Sequence, residues 1–329
     1  MPDVHQPIGQ PLDQPSATLA GPGFPAAARR AFLATRPPFF TASVLPVLVG
    51  TAWASAAHHH VHGLLFALAL AATVLAHAAT NVYNDVSDDL IGTDPANVDR
   101  IYPYTGGSRF IQAGLLTRAE MSRLALGLAV GALLVGVLLA LLRGPGVVLL
   151  GLMGLGLGLL YSMPGAQLSA RGIGEAAVAI GLGMLPVVGA AWLQTGTVDS
   201  GILLISVPVS AWVAAILLIN EVPDVSADRR AGKRTLVVRL GSGGARAIYL
   251  ALTALALAAS LAAILQHALP SWYALPALGF AALGCHCALG ISTAPARRKR
   301  LKQSIEITLA VQALGNIALV IAMLVEHIA

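Results

Sequence analysis

Hydrophobic positions in this chain come in long unbroken blocks, not in the alternation of a strand or the single stripe of an amphipathic helix. A block of about 20 residues is long enough, at about 1.5 Å rise per residue, to cross a hydrocarbon core of about 30 Å. Nine such blocks follow one another, over residues 39–57, 63–81, 121–142, 147–163, 173–193, 201–220, 246–266, 272–291 and 304–325. Several contain residues that weaken soluble helices, among them Gly131, Gly136, Gly151, Gly154, Gly156, Gly158, Pro186 and Pro208. Membrane helices tolerate these residues and pack closely through them. The pattern predicts an all-α polytopic membrane protein, a compact nine-transmembrane-helix bundle.

Composition and charge sharpen that expectation. Hydrophobic residues make up 57% of the 329 and charged residues 11%, whereas average soluble domains carry about 25% charged residues; the mean hydropathy is +0.77. Of the 20 Lys and Arg residues, 19 fall in the N-terminal segment and in every second loop, with Arg143 alone on the other side. Cations are retained in the cytoplasm, so the N-terminus is expected inside and the C-terminus outside, in the inner (cytoplasmic) membrane. The same topology accounts for a pI of about 9.6; no basic stripe interleaved with aromatics points to nucleic acid, and nothing marks a protein partner. Residues 1–35 read as a disordered tail: Met1 to Ala28 are rich in Pro, Gln and Ala and lack the basic start and apolar run of a signal peptide. Residues 36–329 form one intramembrane domain. Cys285 and Cys287 lie two apart on a helix and face different ways, so no disulfide or zinc site is expected. The cluster His58, His59, His60 and His62 reads as a polar turn at a helix end before it reads as a metal site, and His77 and His286 read as packed or hydrogen-bonded within the bundle.

The chemistry lies in the acidic residues. Six of the 15 gather in two patches at the ends of the second and sixth blocks. The first patch runs from Asn81 through Asn84, Asp85 and Asp88 to Asp89, and the second from Asn220 and Glu221 through Asp224 to Asp228. Superimposed, both read Asn-x-x-x-Asp-Val-Ser-x-Asp, 139 residues apart, which suggests two related halves. If the helices continue through the patches, Asn81, Asp85 and Asp89 fall on one face and Asn220, Asp224 and Asp228 on another, with Pro223 expected to distort the second. Carboxylates crowded at a membrane boundary repel one another and require a cation between them. Oxygen donors without Cys or His favour Mg2+, which binds through a few carboxylates plus the phosphates of a substrate, so the expected ligand is a diphosphate. Arg100, Arg109, Lys233 and Arg234 lie near the patches and are candidates for neutralising the remaining phosphate charge.

From Arg36 onward the chain resembles the UbiA superfamily of intramembrane aromatic prenyltransferases. The resemblance rests on Asn84-Asp85-x-x-Asp88-Asp89 followed by Gly92-Thr93-Asp94, and on Asp224-x-x-x-Asp228 followed by Ala231-Gly232-Lys233-Arg234-Thr235-Leu236. Within it, Arg36-Pro37-Pro38, Thr105-Gly106-Gly107-Ser108-Arg109, Tyr161-Ser162-x-Pro164 and Arg171-Gly172-x-Gly174-Glu175 are similar to enzymes that prenylate 1,4-dihydroxy-2-naphthoate in menaquinone synthesis. The second motif opens Asn220-Glu221-Val222-Pro223-Asp224, where that subgroup more often has a second Asn and a basic residue. The resemblance implies Mg2+-dependent transfer of a prenyl group from an isoprenyl diphosphate to an aromatic acceptor, with an opening to the lipid bilayer for the prenyl tail. It implies a catalytic set of Asp85, Asp88, Asp89, Asp224 and Asp228, with Asp85, Asp89, Asp224 and Asp228 as metal ligands. Asn81, Asn84, Asn220, Lys233, Arg234, Arg100 and Arg109 would bind the diphosphate, and Arg36, Tyr161 and Arg171 would line the acceptor cavity. Asp88 and Asp89 are both candidates for the base that takes the phenolic proton. Glu175 reads equally as a site residue or as an acid favoured by a helix N-terminus. The rival acceptors are 4-hydroxybenzoate, homogentisate or a chlorin at the same diphosphate site; the rival class is a transporter, whose charges belong nearer the midplane.

Overall fold

The computed structural model describes residues 19, 21, 23–59 and 61–325, the side chain of residue 58 apart. Its helices are α1 (Phe24–Ala34), α2 (Thr41–His58), α3 (Gly63–Leu90), α4 (Arg118–Arg143), α5 (Gly146–Ser162), α6 (Gly174–Thr195), α7 (Ser200–Arg230), α8 (Leu236–Leu265), α9 (Ala274–Ala288) and α10 (Arg298–Val325). Each expected span overlaps one of α2 to α10. Seven of these, all but α5 and α9, are long and apolar enough to cross a membrane; α5 has 17 residues and α9 has 15. The chain is an integral, multi-pass membrane protein. Its outer surface agrees: Leu141 on α4 is 80% exposed and Leu152 on α5 69%, within a belt of exposed leucines that water would not tolerate.

The tail expectation needs correction at its end. Residues 24–34 are helical, started by Pro25 in the first turn, and Arg30 Nη1 donates to the carbonyls of Leu19 (2.8 Å) and Gly21 (3.0 Å). Most of the tail before them lies outside the described residues.

The bundle is built around α7. In the most apolar window of each helix, 72% of α7 is buried against 17% of α4, and α7 supplies residues such as Ile205, Val209, Leu218 and Ile219 to two apolar clusters. Small residues set the close approaches. A Cβ on Gly50 of α2 would lie 2.0 Å from the Val187 carbonyl oxygen of α6, and one on Gly183 would lie 2.5 Å from Ser210 Cα of α7. No side chain fits either position without separating the helices.

Two helices overrun their apolar blocks. α3 has 28 residues and ends at Leu90; α7 has 31 and ends at Arg230, passing Pro208 and Pro223 without a break, so the distortion expected at Pro223 does not interrupt the helix. Both acidic patches are therefore helical and lie at one end of the bundle, where the segment 91–117 crosses between them.

Candidate functional site

The face that α3 presents differs from the expected stripe. Asn81, Asn84 and Asp88 line a large cavity, whereas Asp85 and Asp89 do not. At about 100° per residue, position i+7 returns to within about 20° of i, while i+8 has turned about 80° away. Asp89 accordingly faces out, accepting from Gln112 Nε2 (3.0 Å) and from Arg118 Nε (2.8 Å) and Nη2 (2.5 Å). Asp85 is buried beside the cavity, where it pairs with Arg36 Nη2 and accepts from the Ser108 amide at 3.1 Å. On α7 the expected stripe of Asn220, Asp224 and Asp228 does line the cavity, joined by Glu221.

The crossing segment ties the two helix ends together. Asp224 accepts from Asn97 Nδ2 (2.8 Å) and from the Gly106 amide (3.2 Å), two residues before the Ser108 amide that reaches Asp85. This requires Gly106 and Gly107 to adopt φ of +75° and +73°, a region that side chains disfavour. A Cβ on Gly107 would also lie 2.6 Å from Asp94 Oδ2 and 3.1 Å from Asp85 Oδ1. From the other side, Lys233 Nζ reaches Asp88 (2.6 Å) and Asp228 (3.8 Å), bridging the two motifs. Next to it, Thr235 caps α8 by accepting from the Val238 amide at 3.3 Å. Burial works against the Lys233 ammonium, but Asp88 and Asp228 outweigh it and hold its pKa above the usual value. Burial pulls the Arg36 guanidinium down against the attraction of Asp94 and Asp88.

Asp94 is the site residue that the reading of the sequence left without a role. It sits in the crossing segment, is 3% exposed, and lines the cavity with Asn97. Burial pushes its carboxyl up to about 7, with the charge of Asp88 adding to the push and Arg36, Lys233 and Arg109 opposing it. Its Oδ2, Asn97 Oδ1 and Asn220 Oδ1 are buried acceptors without a partner, and such atoms are stable only if something fills the space before them.

The cavity has a volume of about 770 Å³ and two chemically distinct ends. At the polar end, five carboxyl groups (Asp88, Asp94, Glu221, Asp224 and Asp228) face two cations, Arg36 and Lys233. The remainder is a bore lined by small and apolar residues, including Ala72 and Ala76 of α3, Gly154 and Gly158 of α5, and Leu185 and Gly189 of α6. Among the described residues no three His, Cys, Asp or Glu side chains converge on one point as a ready cage. Mg2+ does not require one, because it is commonly held by one or two carboxylates together with substrate phosphates and water. The surplus of oxygen donors and the orphaned acceptors fit that mode. Of the expected ligands Asp224 and Asp228 face the cavity and Asp85 and Asp89 do not; Asp88, Asp94 and Glu221 are the other carboxyl groups that line it.

Four expected basic residues do not line the cavity. The Arg100 guanidinium carbon lies 6.0 Å from the Tyr102 ring centroid, and the Arg100 carbonyl accepts from Arg298 Nη2 at 2.5 Å. Arg109 takes a left-handed φ of 64° and donates to the Asp94 carbonyl, shaping the segment that carries Asp94. Arg234 and Arg171 are exposed, the latter donating to the Gly165 carbonyl at 2.5 Å. Loop cations serve charge topology as well as ligands, and sequence proximity does not separate the two. Arg36 and Tyr161 do line the cavity, as does His77, whose Nδ1 lies 3.1 Å from Ser43 Oγ. Glu175 is buried where α6 packs against α7. Of the histidine cluster, His60 and the side chain of His58 lie outside the described residues; the His62 amide donates to Gln194 Oε1 at 2.8 Å, a helix-end turn.

A model of the UbiA prenyltransferase family matches residues 43–309. Over 222 residues the chain is 34% identical to a 1,4-dihydroxy-2-naphthoate octaprenyltransferase of Mycobacterium tuberculosis, covering 67% of this chain and 73% of that protein. A protein of the same name from Bacillus subtilis is 31% identical over 211 residues, 64% of this chain and 66% of that one. In fold, the chain is similar to a UbiA homologue from Archaeoglobus fulgidus bound to DMAPP and Mg2+, with a TM-score of 0.60, 15% identity and coverage of 88% of this chain and 99% of that one.

Proposed function

The chain belongs to the UbiA prenyltransferase family, and from that premise we propose that it transfers a prenyl group from an isoprenyl diphosphate to 1,4-dihydroxy-2-naphthoate in menaquinone synthesis. The observation that carries this reading is a single cavity joining a polar end, rich in carboxyl groups, to an apolar bore. A molecule with a highly charged head and a long hydrocarbon tail matches both ends. The acceptor is supported by the octaprenyltransferase relatives, and the metal by the DMAPP and Mg2+ of the A. fulgidus homologue.

In this reading Asp88, Asp94, Asp224 and Asp228 supply the oxygen donors for Mg2+, which when bound neutralises charge developing on the leaving diphosphate. Lys233 and Arg36 supply fixed positive charge to the phosphate oxygens, and Asn81, Asn84 and Asn220 orient them. The bore holds the tail and keeps water from the allylic carbon as its bond to oxygen stretches. Tyr161 and Arg36 border the space left for the acceptor ring. Asp85 and Asp89 act indirectly, by fixing Arg36 and the start of α4.

The same proposal places nine spans, α2 to α10, in the inner membrane as one domain from about residue 36, with the N-terminus and the polar end of the cavity on the cytoplasmic side. The distribution of cations supports that orientation. The test is prenyl transfer by purified protein in detergent, with 1,4-dihydroxy-2-naphthoate set against other aromatic acceptors. Magnesium-dependent product with the naphthoate alone is expected; product only with a different acceptor overturns the assignment.

A further inference from the structure

A base for the acceptor hydroxyl is the part of the proposed reaction that the acidic motifs do not supply. Of the two candidates that the sequence offers, Asp89 faces out of the cavity toward Gln112 and Arg118, and Asp88 bonds Lys233 at 2.6 Å. Asp228 shares that lysine, and Asp224 is held by Asn97 and the Gly106 amide. These groups surround the charged head of the donor. The carbon that changes bonds lies farther in, where head meets tail.

His77 stands at that junction. It lines the cavity from the same face of α3 as Asn81, one turn or about 6 Å nearer the bore, with Ala72 and Thr73 beyond it. Its ring is held on two sides. Nδ1 lies 3.1 Å from Ser43 Oγ, and the Phe40 ring meets it edge-on with centroids 5.7 Å apart. Ser43 is fully buried behind the cavity wall and donates its one hydroxyl proton to the Phe40 carbonyl at 3.0 Å. Toward His77 it can therefore only accept, which assigns the ring proton to Nδ1 and leaves a lone pair on Nε2. With the Ser43 bond behind it, the imidazole turns Nε2 to the cavity, where it meets no hydrogen-bond partner among the described residues. An uncharged imidazole can stand beside the apolar bore without burying a charge.

We infer that His77 is the base that takes the ring hydroxyl proton of the acceptor, through Nε2. This role rests on the aromatic acceptor proposed above. Nε2 takes the hydroxyl proton while an electron pair of the adjacent ring carbon forms the bond to the prenyl carbon, and the C–O pair leaves on the diphosphate. The imidazolium so formed faces the negative charge growing on the leaving group. The keto form of the ring then sheds what the attacked carbon carried, as CO2 or as a proton to the diphosphate. The electron pair returns to the ring oxygen, which takes its proton back from Nε2 and leaves His77 neutral. His77 is the catalytic residue; Ser43 is a positioning residue that fixes the tautomer and the direction of the ring.

Two measurements on the full-length protein in detergent test this. His77→Asn keeps an amide nitrogen near the place of Nδ1, so the bond to Ser43 survives, but nothing replaces Nε2. In that variant kcat is expected to fall about 10²- to 10⁴-fold, the range of a positioned base, with Mg2+-dependent binding of geranylgeranyl diphosphate within about threefold. Without any substrate, nitrogen NMR of the histidine-labelled parent should show the proton of His77 on Nδ1, its signals being those of the nine histidines that vanish in His77→Asn. Ser43→Ala should mix the two tautomers in the same spectrum and lower kcat by less than His77→Asn does. A smaller fall in kcat in His77→Asn, loss of donor binding in it, or a proton on Nε2 in the parent overturns the inference. If the parent protein prenylates no aromatic acceptor, the functional reading fails and the base role falls with it, whereas transfer with the proton on Nε2 sinks the base role alone.

Discussion

Replacing Gly107 with Ala tests whether the crossing segment holds the two acidic helix ends together. The added Cβ would lie 2.6 Å from Asp94 Oδ2, 3.1 Å from Asp85 Oδ1 and 3.2 Å from Arg36 Nη2, where ordinary contact begins at 3.4 Å. Either Asp94 Oδ2 retreats by about 0.8 Å or the backbone shifts, and a backbone shift breaks a bond from the Gly106 or Ser108 amide to the charged Asp224 or Asp85. A bond of that kind contributes about 1.5–3 kcal/mol, and the left-handed conformation costs a non-glycine residue about 1–2 kcal/mol more. If only the first loss is felt by the ligand, affinity for a prenyl diphosphate drops about 10- to 100-fold, at about 1.4 kcal/mol per decade. Gly114→Ala is the control, because Gly114 has φ +65° but nothing within 4 Å: it carries the backbone cost without the clash. Calorimetric titration of geranylgeranyl diphosphate with Mg2+ into both detergent-purified variants separates the effects. Unchanged binding in Gly107→Ala, or equal losses in both variants, would refute the reasoning.

Three further outcomes follow from the same geometry. Lys233→Met removes the charge between Asp88 and Asp228 and leaves Asp228 buried and Asp88 half-buried without it, so thermal stability should drop by about 3–5 kcal/mol in unfolding free energy and donor binding should be lost; scanning calorimetry and titration check the two parts. Asp89→Asn touches only contacts outside the cavity, with Gln112 and half-exposed Arg118, and should leave donor affinity within about threefold, as expected of a surface pair, whereas Asp88→Asn should abolish tight binding in the same titration. Gly154→Phe inserts a ring into the bore at a position with open space around it, and competition between farnesyl and geranylgeranyl diphosphate should shift toward the shorter donor.

The helices and the two motifs were legible in the sequence because each depends on local order. Hydrophobic blocks specify helices through length alone, and a pattern repeated 139 residues apart marks two equivalent helix ends. The facing was harder. An i, i+4, i+8 stripe drifts by about 80° over two turns, which is enough to exchange Asp88 for Asp89, and only the packing of α3 decides which of the two points inward. Asp94 and Asn97 were obscured because they sit in a segment whose path is set by partners far away in sequence, Asp224 among them. Arg100 and Arg109 carried the signal of phosphate ligands but are used within the protein, on the Tyr102 ring and the Asp94 carbonyl. Glu175 was ambiguous for a similar reason: its position near a helix start explains an acid there, and its burial is decided only when α6 lies against α7.

Everything turns on whether the ends of α3 and α7 form one magnesium-dependent diphosphate site. Titration of geranylgeranyl diphosphate into the purified protein, with Mg2+ or with EDTA, and into Asp88→Ala and Asp224→Ala, measures this directly. Tight binding that needs Mg2+ and disappears in each single variant is the predicted result. Binding that persists in EDTA, or that survives loss of either carboxylate, would mean that the two helix ends do not share one ligand.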